Sequence, residues 1–409
     1  MKNLYINNAQ VRHNLLFSFA AGLLFWSASG SLLPTLPLYL KQYGATNQQI
    51  GIIIGSFALG LLLFRSKCGQ LADERGRKPV LLIGTLVSAI APLGYLVVTS
   101  FPLLMVLRIF HGLSVAAFAP GFNALTADIA PPHKRGEIMG YMSLVNPIGI
   151  ALGPALGAYV QSAGGNTYIF FLAAGLGLGS LLCVMQITNP GIEQEPEDLQ
   201  KSKFWQMLLS PRVRVPAEIL LLVGLAVGTL NTFVPLFIKS SKVELNTGLF
   251  YTAAALASFS VRLFTGRASD RFGRGLFITF SLVCYSVAMV ILWAAHTAPA
   301  FLVAASFEGA GGGMLFAILA TMMADRSLPQ ERGRVFALCI VGWDLGMATA
   351  GPVFGSIAAH VGYRNMFGFD AFLTVLALLI FLTKSSKDLP NSLRFALGRG
   401  RDIYALNKV

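Results

Sequence analysis

The 409-residue sequence predicts an all-α integral membrane protein, with twelve transmembrane helices in two six-helix bundles related by a pseudo-twofold repeat. Three observations predict it. Apolar residues make up 55% of the chain and charged residues 12%, and the mean hydropathy is +0.66, beyond what soluble domains show. The apolar residues gather into blocks of about the 20 residues that cross a hydrocarbon core as a helix. Charged and glycine-containing signatures then recur at one fixed spacing, so the second half repeats the first.

Twelve blocks fall at residues 14–40, 48–68, 79–98, 102–125, 137–160 and 167–188, then 215–238, 247–266, 275–296, 300–324, 334–358 and 364–383. A soluble chain of this length would carry about twice the charge and alternate apolar with polar faces. The opening "MKNLYINNAQVRHN" runs into an apolar stretch without a small-residue cleavage pattern after a short core. It reads as a retained first span, not a signal peptide. Cys68, Cys183, Cys284 and Cys339 lie in or at the ends of blocks without C-x-x-C spacing and read as small packing residues. No metal and no cofactor is expected.

A formal net charge of +13 would suggest nucleic acid in a soluble protein, but the placement of the charge argues for topology instead. Most Lys and Arg residues lie between spans on the side of the N-terminus, from Lys2 and Arg12 through Arg75, Arg77 and Lys78 to the cluster after Leu382. Lys41, Lys239, Lys242 and Arg364 fall on the other side, and Arg108 lies within a span. The asymmetry predicts both termini in the cytoplasm, in a bacterial-type inner (plasma) membrane. The one extended polar stretch between spans, "NPGIEQEPEDLQKSKFWQ" from Asn189, divides the chain nearly in half. The expected organisation is an N-terminal bundle over 1–188, a cytoplasmic linker over 189–213, a C-terminal bundle over 214–384 and a basic cytoplasmic tail over 385–409.

The repeat has an offset of 197 residues: Arg65 meets Arg262, Gly69 meets Gly266, Asp73 meets Asp270, Gly76 meets Gly273 and Arg77 meets Arg274. Gly112 and Gly309, Asp128 and Asp325, and the "RG" pairs at Arg135 and Arg332 keep the same offset, while "GPALG" at Gly153 matches "GPVFG" at Gly351 with one inserted residue. An even number of spans separates equivalent positions, so the halves share one orientation. Parallel repeats of this kind place a substrate site near mid-membrane.

The stretch "GQLADERGRKPV" follows a Gly, three residues, Asp, two residues, Gly, then two basic residues, met by Gly69, Asp73, Gly76, Arg77 and Lys78. Asp270, Arg271, Gly273 and Arg274 repeat it in the second half. With twelve spans and a duplicated half, this loop resembles the signature of the major facilitator superfamily. The resemblance covers residues 12 to 384 and implies a cytoplasmic gate. In it Gly69 lets helices approach, Gly76 makes a tight turn, and Asp73 caps a helix while pairing with Arg77. Glu74 stands where the family more often has a basic residue. The other reading of Arg75, Arg77 and Lys78 is that they only orient the spans.

Inside the spans, Arg108 lies about 9 Å deep, where a guanidinium must pair or face water. "RIFHG", Arg108 to Gly112, resembles the superfamily's fourth-helix pattern, in which the Arg is associated with proton transfer; His111 is three residues on. Glu308 and Asp344 are the deep carboxylates of the second half, and with Arg108 and His111 they are the candidates for proton coupling. Asp370 and Glu218 read as anchors near span ends. "NPIGIALGPALG", with Asn146, Pro147, Gly149, Gly153, Pro154 and Gly157, resembles the fifth-helix signature of superfamily antiporters; ordinary close packing is the other reading. "SGSLLPTLP" is similar to the first-helix motif of the drug/proton antiporters, with Ser27, Ser29, Gly30 and Ser31 where an acid often stands. Trp26, Asn123, Asn231, Phe233 and Trp343 are candidates to line an aromatic, weakly polar cavity, or else to pack in the core or against lipid.

The expected function is a secondary active transporter moving a small organic molecule by alternating access, as proton-coupled efflux, with proton-coupled uptake as the alternative. No H-E-x-x-H, nucleophile elbow or phosphate-binding loop argues for an enzyme. Expected partners are a small-molecule substrate, protons and the lipid bilayer, not nucleic acid, and the chain is expected to act as a monomer.

Overall fold

The structure is a computed structural model and describes residues 8–131, 135–188, 210–327 and 332–405. All regular elements among the described residues are helices. They are α1 Asn8–Gln42, α2 Asn47–Arg75, α3 Arg77–Val97, α4 Phe101–Ile129, α5 Arg135–Met142, α6 Val145–Gly164 and α7 Asn166–Gln186. The second half holds α8 Pro211–Ser240, α9 Thr247–Phe272, α10 Arg274–Ala294, α11 Ala298–Asp325, α12 Arg332–Lys384 and α13 Leu389–Ala396.

Eleven described helices are long and apolar enough to cross a membrane. One of these apolar stretches, Leu338–Lys384, has 47 residues. At 1.5 Å per residue that is about 70 Å, enough for two crossings of a ~30 Å core. Gly362 divides it, with φ 77° and ψ 166° interrupting the helix. Its repeat counterpart Gly165 has φ 83° and separates α6 from α7, so the eleventh and twelfth spans are a hairpin like the fifth and sixth. The chain is thus an all-helical integral membrane protein with the twelve-crossing layout.

The repeat also sets the turns at the charged signatures. Gly76 between α2 and α3 has φ 94°, and Gly273 between α9 and α10 has φ 92°. Side chains with a Cβ rarely adopt this conformation, so glycine at both positions lets one helix end and the next begin within a single residue. Elsewhere side chains mark the helix starts. Thr46 accepts from the Gln49 amide at 3.2 Å while Gln49 accepts from the Thr46 amide at 2.9 Å, a reciprocal cap for α2. Asn246 caps α9 through the Gly248 amide.

The fifth span differs from its expected continuous form. It is broken at Ser143 and Leu144, between α5 and α6. Pro147 explains the break, because it has no N–H to offer and its ring would collide with the carbonyl four residues back, at Ser143. The corresponding residue of the second half is Leu345, and α12 runs through it unbroken.

The chain forms two compact units. The first comprises Met1–Tyr39 and Ser56–Glu197, the second Leu40–Gly55 and Asp198–Val409. In the first unit, α3 packs against α4 and α7. Its core includes Phe25, Phe118, Phe122 and Val184, with Phe25 and Phe118 stacked at 3.9 Å. In the second unit, α12 packs along α8, and α11 lies against α9 and α10. The turn between α1 and α2 belongs here. The Gly51 and Gly351 backbones approach so closely that a Cβ on Gly351 would lie 2.0 Å from the Gly51 carbonyl oxygen, and Tyr363 donates to Asn47 Oδ1 at 2.7 Å.

The four cysteines are free; Cys68, Cys284 and Cys339 are buried and Cys183 is half-buried. Of the expected linker, residues 189–209 lie outside the described residues. The tail, read from sequence only as basic, forms α13 and continues as described chain to residue 405.

Candidate functional site

The charged signatures build the same ion pair twice. Arg77, at the start of α3, bridges to Asp128 at the end of α4, with Nε 3.1 Å from Oδ2. Arg274, at the start of α10, pairs with Asp325 at the end of α11. Both partners obey the 197-residue offset, so duplicated sequence has given a duplicated contact. Arg77 also donates to the Ala72 carbonyl at 2.9 Å, tying α3 back across the Gly76 turn, and Lys78 donates to the Met185 carbonyl at 2.8 Å. The guanidinium of Arg271 lies over the Phe272 ring at 5.4 Å. The side chains of Asp73 and Asp270 lie outside the described residues.

Gly69 was expected to permit close helix approach; among the described residues of its own unit, an added Cβ at Gly69, or at its repeat Gly266, meets nothing within 4 Å. Gly69→Ala and Gly266→Ala are therefore expected to leave thermal stability unchanged or raise it by up to ~1 kcal/mol, since alanine is the better helix former. Thermal unfolding of the purified variants checks this, and a marked loss of stability would show a close contact beyond the described residues of the same unit.

Within the first unit, a polar cluster forms where α3 and α4 meet. Arg108 is only 8% exposed, with Nη1 3.4 Å from His111 Nδ1 and its guanidinium 4.5 Å over the Phe57 ring. The Tyr95 hydroxyl lies 3.1 Å from the same Nδ1, and the Tyr95 carbonyl accepts from Tyr39 at 2.9 Å. Arg108 and His111 are thus brought together as their spacing predicts. Tyr95 was missed. It belongs to a neighbouring helix, and only the relative rotation of α3 and α4 reveals it.

The small-residue stripe of α6 lies on the backbone of α1. A Cβ at Gly149 would come 2.5 Å from Trp26 Cβ, at Gly153 2.4 Å from the Ser27 carbonyl, and at Gly157 2.4 Å from the Ser31 carbonyl. Pro154 Cδ sits 3.1 Å from where a Gly30 Cβ would be. The repeated glycines do different work in the second unit, where Gly351 and Gly355 face Gly51 and Asn47. There α12 approaches α8 through Gly342 and Gly346 instead. Duplicated sequence has therefore acquired different neighbours.

Strict offset places Glu308 opposite His111. Glu308 is half-buried on α11, with Tyr251 of α9 and Tyr285 of α10 within electrostatic range. Asp344 is 4% exposed on α12, between Gly342 and Gly346 but on the other side of the helix. Asp370 is not the span-end anchor that the sequence suggested. It is fully buried about 12 Å beyond Gly362, beside Thr229 of α8.

The cavity candidates do not share one environment. Asn123 is exposed; Trp26 is half-buried with its ring edge-on to Phe25 at 5.4 Å. Trp343 is half-buried and meets Phe316 edge-on at 4.6 Å, and the Asn231 carbonyl accepts from Tyr251 at 3.5 Å. Phe233 is fully buried near Tyr363, which gives it a core position.

A helical membrane protein with a duplicated half and paired charges at its inter-helix turns belongs to the class of secondary transporters. The chain belongs to the Major Facilitator Superfamily, whose family model matches residues 17–267 and 219–401. Over 277 residues it is 28% identical to the quinolone resistance protein NorA of Staphylococcus aureus, covering 64% of this chain and 69% of that protein. Its fold is similar to that of the nucleoside transporter NupG in a mutant form, with a TM-score of 0.76 at 14% identity, covering 89% of this chain and 98% of that one. It is also similar to a bacterial homologue of the human lysosomal transporter Spinster in an inward-facing, unoccupied conformation. That match has a TM-score of 0.74 at 14% identity and covers 97% and 99% of the two chains. This protein is a transporter and not an enzyme.

Proposed function

We propose that this protein exports small, amphiphilic organic molecules in exchange for protons, working by alternating access with both termini in the cytoplasm. The observation that carries the reading is the α6 stripe. Gly149, Gly153 and Gly157 are packed on the α1 backbone, in the sequence that resembles the antiporter signature. Similarity to a quinolone resistance protein supports the same direction. Proton-coupled uptake is the second reading, favoured by the likeness in fold to a nucleoside transporter, because that fold alone serves neither direction exclusively.

The cluster around His111 supports a way to couple protons to movement. Arginine has only donors, so His111 Nδ1 accepts from Arg108 and Tyr95 and its ring proton belongs on Nε2. A second proton must therefore arrive at Nδ1, where it turns the acceptor into a donor: the Arg108 contact is lost, because a guanidinium can only donate, while the Tyr95 hydroxyl turns to accept. Protonation thus frees Arg108 from His111 and reverses the bond that joins α4 to α3. Glu308, at the equivalent place in the second unit, and Asp344 are the carboxylates that would take up and release protons there. Arg77 with Asp128, and Arg274 with Asp325, would hold the gate turns through each cycle.

Proteoliposomes under an imposed pH gradient, offered a mixed panel of compounds, test the reading. Proton movement opposite to compound flux is the expected result, and movement in the same direction selects uptake. Asp344→Asn and Arg108→Ala are each expected to abolish proton-coupled flux while the protein remains folded by thermal unfolding. Unchanged coupling in both variants would remove these residues from the mechanism.

A further inference from the structure

Beyond its last crossing the chain folds back onto the second unit. Asp388 caps α13 through the Asn391 amide at 2.8 Å, and the Ser386 amide donates to Ser392 Oγ at 2.9 Å. Ser392, Phe395 and Ala396 form the buried side of the helix. The Ala396 carbonyl accepts from Thr279 of α10 at 2.8 Å, and a Cβ on Gly275 would lie 2.1 Å from the Phe395 carbonyl. The helix is therefore pressed against the first turns of a membrane crossing. Thr279 lies only about 8 Å along α10, near the end of a crossing, where headgroups meet acyl chains.

A second side of α13 has no partner among the described residues. Leu389, Leu393 and Leu397 are all exposed and recur every four residues, so they form one apolar stripe. Beside it stand the exposed Arg394, Arg399 and Arg401. No acidic residue occurs from Leu389 to Arg401. The flanking acids are already engaged, Asp388 at the helix cap and Asp402 with Arg326. Apolar side chains beside the first turns of a crossing, with cations next to them that pair with no acid among the described residues, match one surface, a leaflet carrying negative headgroups.

We propose that α13 is an interfacial anchor for anionic phospholipid, in which Leu389, Leu393 and Leu397 enter the acyl region while Arg394, Arg399 and Arg401 hold lipid phosphates. The site depends on the chain's being a membrane protein and not on what it transports. Attraction of each arginine to an anionic leaflet corresponds to about a fivefold gain in lipid affinity, so R394Q/R399Q/R401Q is expected to weaken phosphatidylglycerol binding roughly a hundredfold.

The test uses the full chain with Cys183→Ser, in nanodiscs of phosphatidylcholine with or without phosphatidylglycerol. A nitroxide is placed at Leu393→Cys or at Asn391→Cys, the latter on an exposed polar side of the helix. With phosphatidylglycerol present, the label at 393 is expected to be reached by oxygen and shielded from an aqueous nickel chelate, and the label at 391 to show the reverse. The triple glutamine variant is expected to move the label at 393 towards water. Equal aqueous exposure of the two labels would overturn the proposal. So would shielding that is the same in pure phosphatidylcholine and indifferent to the arginines. Dipolar broadening between labels at 393 would instead identify a second copy of the chain as the occupant, and would also overturn it.

Discussion

Arg326→Ala is expected to destabilise the protein by about 3 to 5 kcal/mol, the cost of removing one member of a buried charge pair. Arg326 is 1% exposed and joins four segments of the second unit. Its Nε donates to Asp402 Oδ2 at 2.6 Å, Nη1 to the Arg212 carbonyl at the start of α8 at 3.1 Å, and Nη2 to the Ser385 carbonyl just after α12 at 3.4 Å. Its guanidinium also lies over the Tyr404 ring at 5.2 Å. Alanine would strand Asp402 and two carbonyls and leave a void. The measurement is the thermal midpoint in detergent, expected to fall by several degrees. R326M/D402N is expected to be less destabilised than Arg326→Met alone, because it removes the orphaned carboxylate along with its cation. A midpoint for Arg326→Ala equal to wild type would show that the network contributes nothing to the fold.

This network was not legible in the sequence, and the reason is physical. Arg326 and Asp402 stand 76 positions apart with no helical period joining them, and the tail reads as polar, basic chain. The crossings were legible because each must satisfy its backbone internally over a fixed thickness, which writes itself as an apolar block. The glycine turns at the charged signatures were legible for a related reason. A left-handed turn selects glycine at Gly76 and Gly273, and duplication prints the requirement twice. Asp128 and Asp325 were visible as a repeated pair, but their role as partners of Arg77 and Arg274 needed the helix ends to be placed side by side. Tyr95 and Asp370 show the other limit. Membership of a polar cluster and full burial depend on helix rotation, which an almost uniformly apolar span does not encode, since its lipid face and its protein face carry the same residue types.

Gly112→Val and Gly309→Val are the second pair of substitutions expected to have large effects. A Cβ on Gly309 of α11 would lie 1.8 Å from the Ala254 carbonyl oxygen of α9, and one on Gly112 of α4 would lie 2.2 Å from the Phe57 carbonyl oxygen of α2. Both glycines and both facing residues are 197 positions apart, so the two units cross helices at the same duplicated place. The obstacle is backbone, which cannot rotate away as a side chain can, and the helices must separate. Overpacking of this kind costs about 3 kcal/mol. Alanine is expected to cost less, and valine more, because the branched side chain adds bulk at the point of contact. The consequence reaches beyond stability, since Gly112 follows His111 and Gly309 follows Glu308. Pushing α4 from α2 moves Arg108 off the Phe57 ring, and pushing α11 from α9 draws Glu308 away from Tyr251. Thermal midpoints and transport flux are therefore expected to fall together in both variants. Gly69→Ala, on α2 but with no described neighbour within 4 Å of an added Cβ, serves as the control for stability. If Gly309→Val matched wild type in both measurements, the close crossing of α9 and α11 would not be the packing of the working protein.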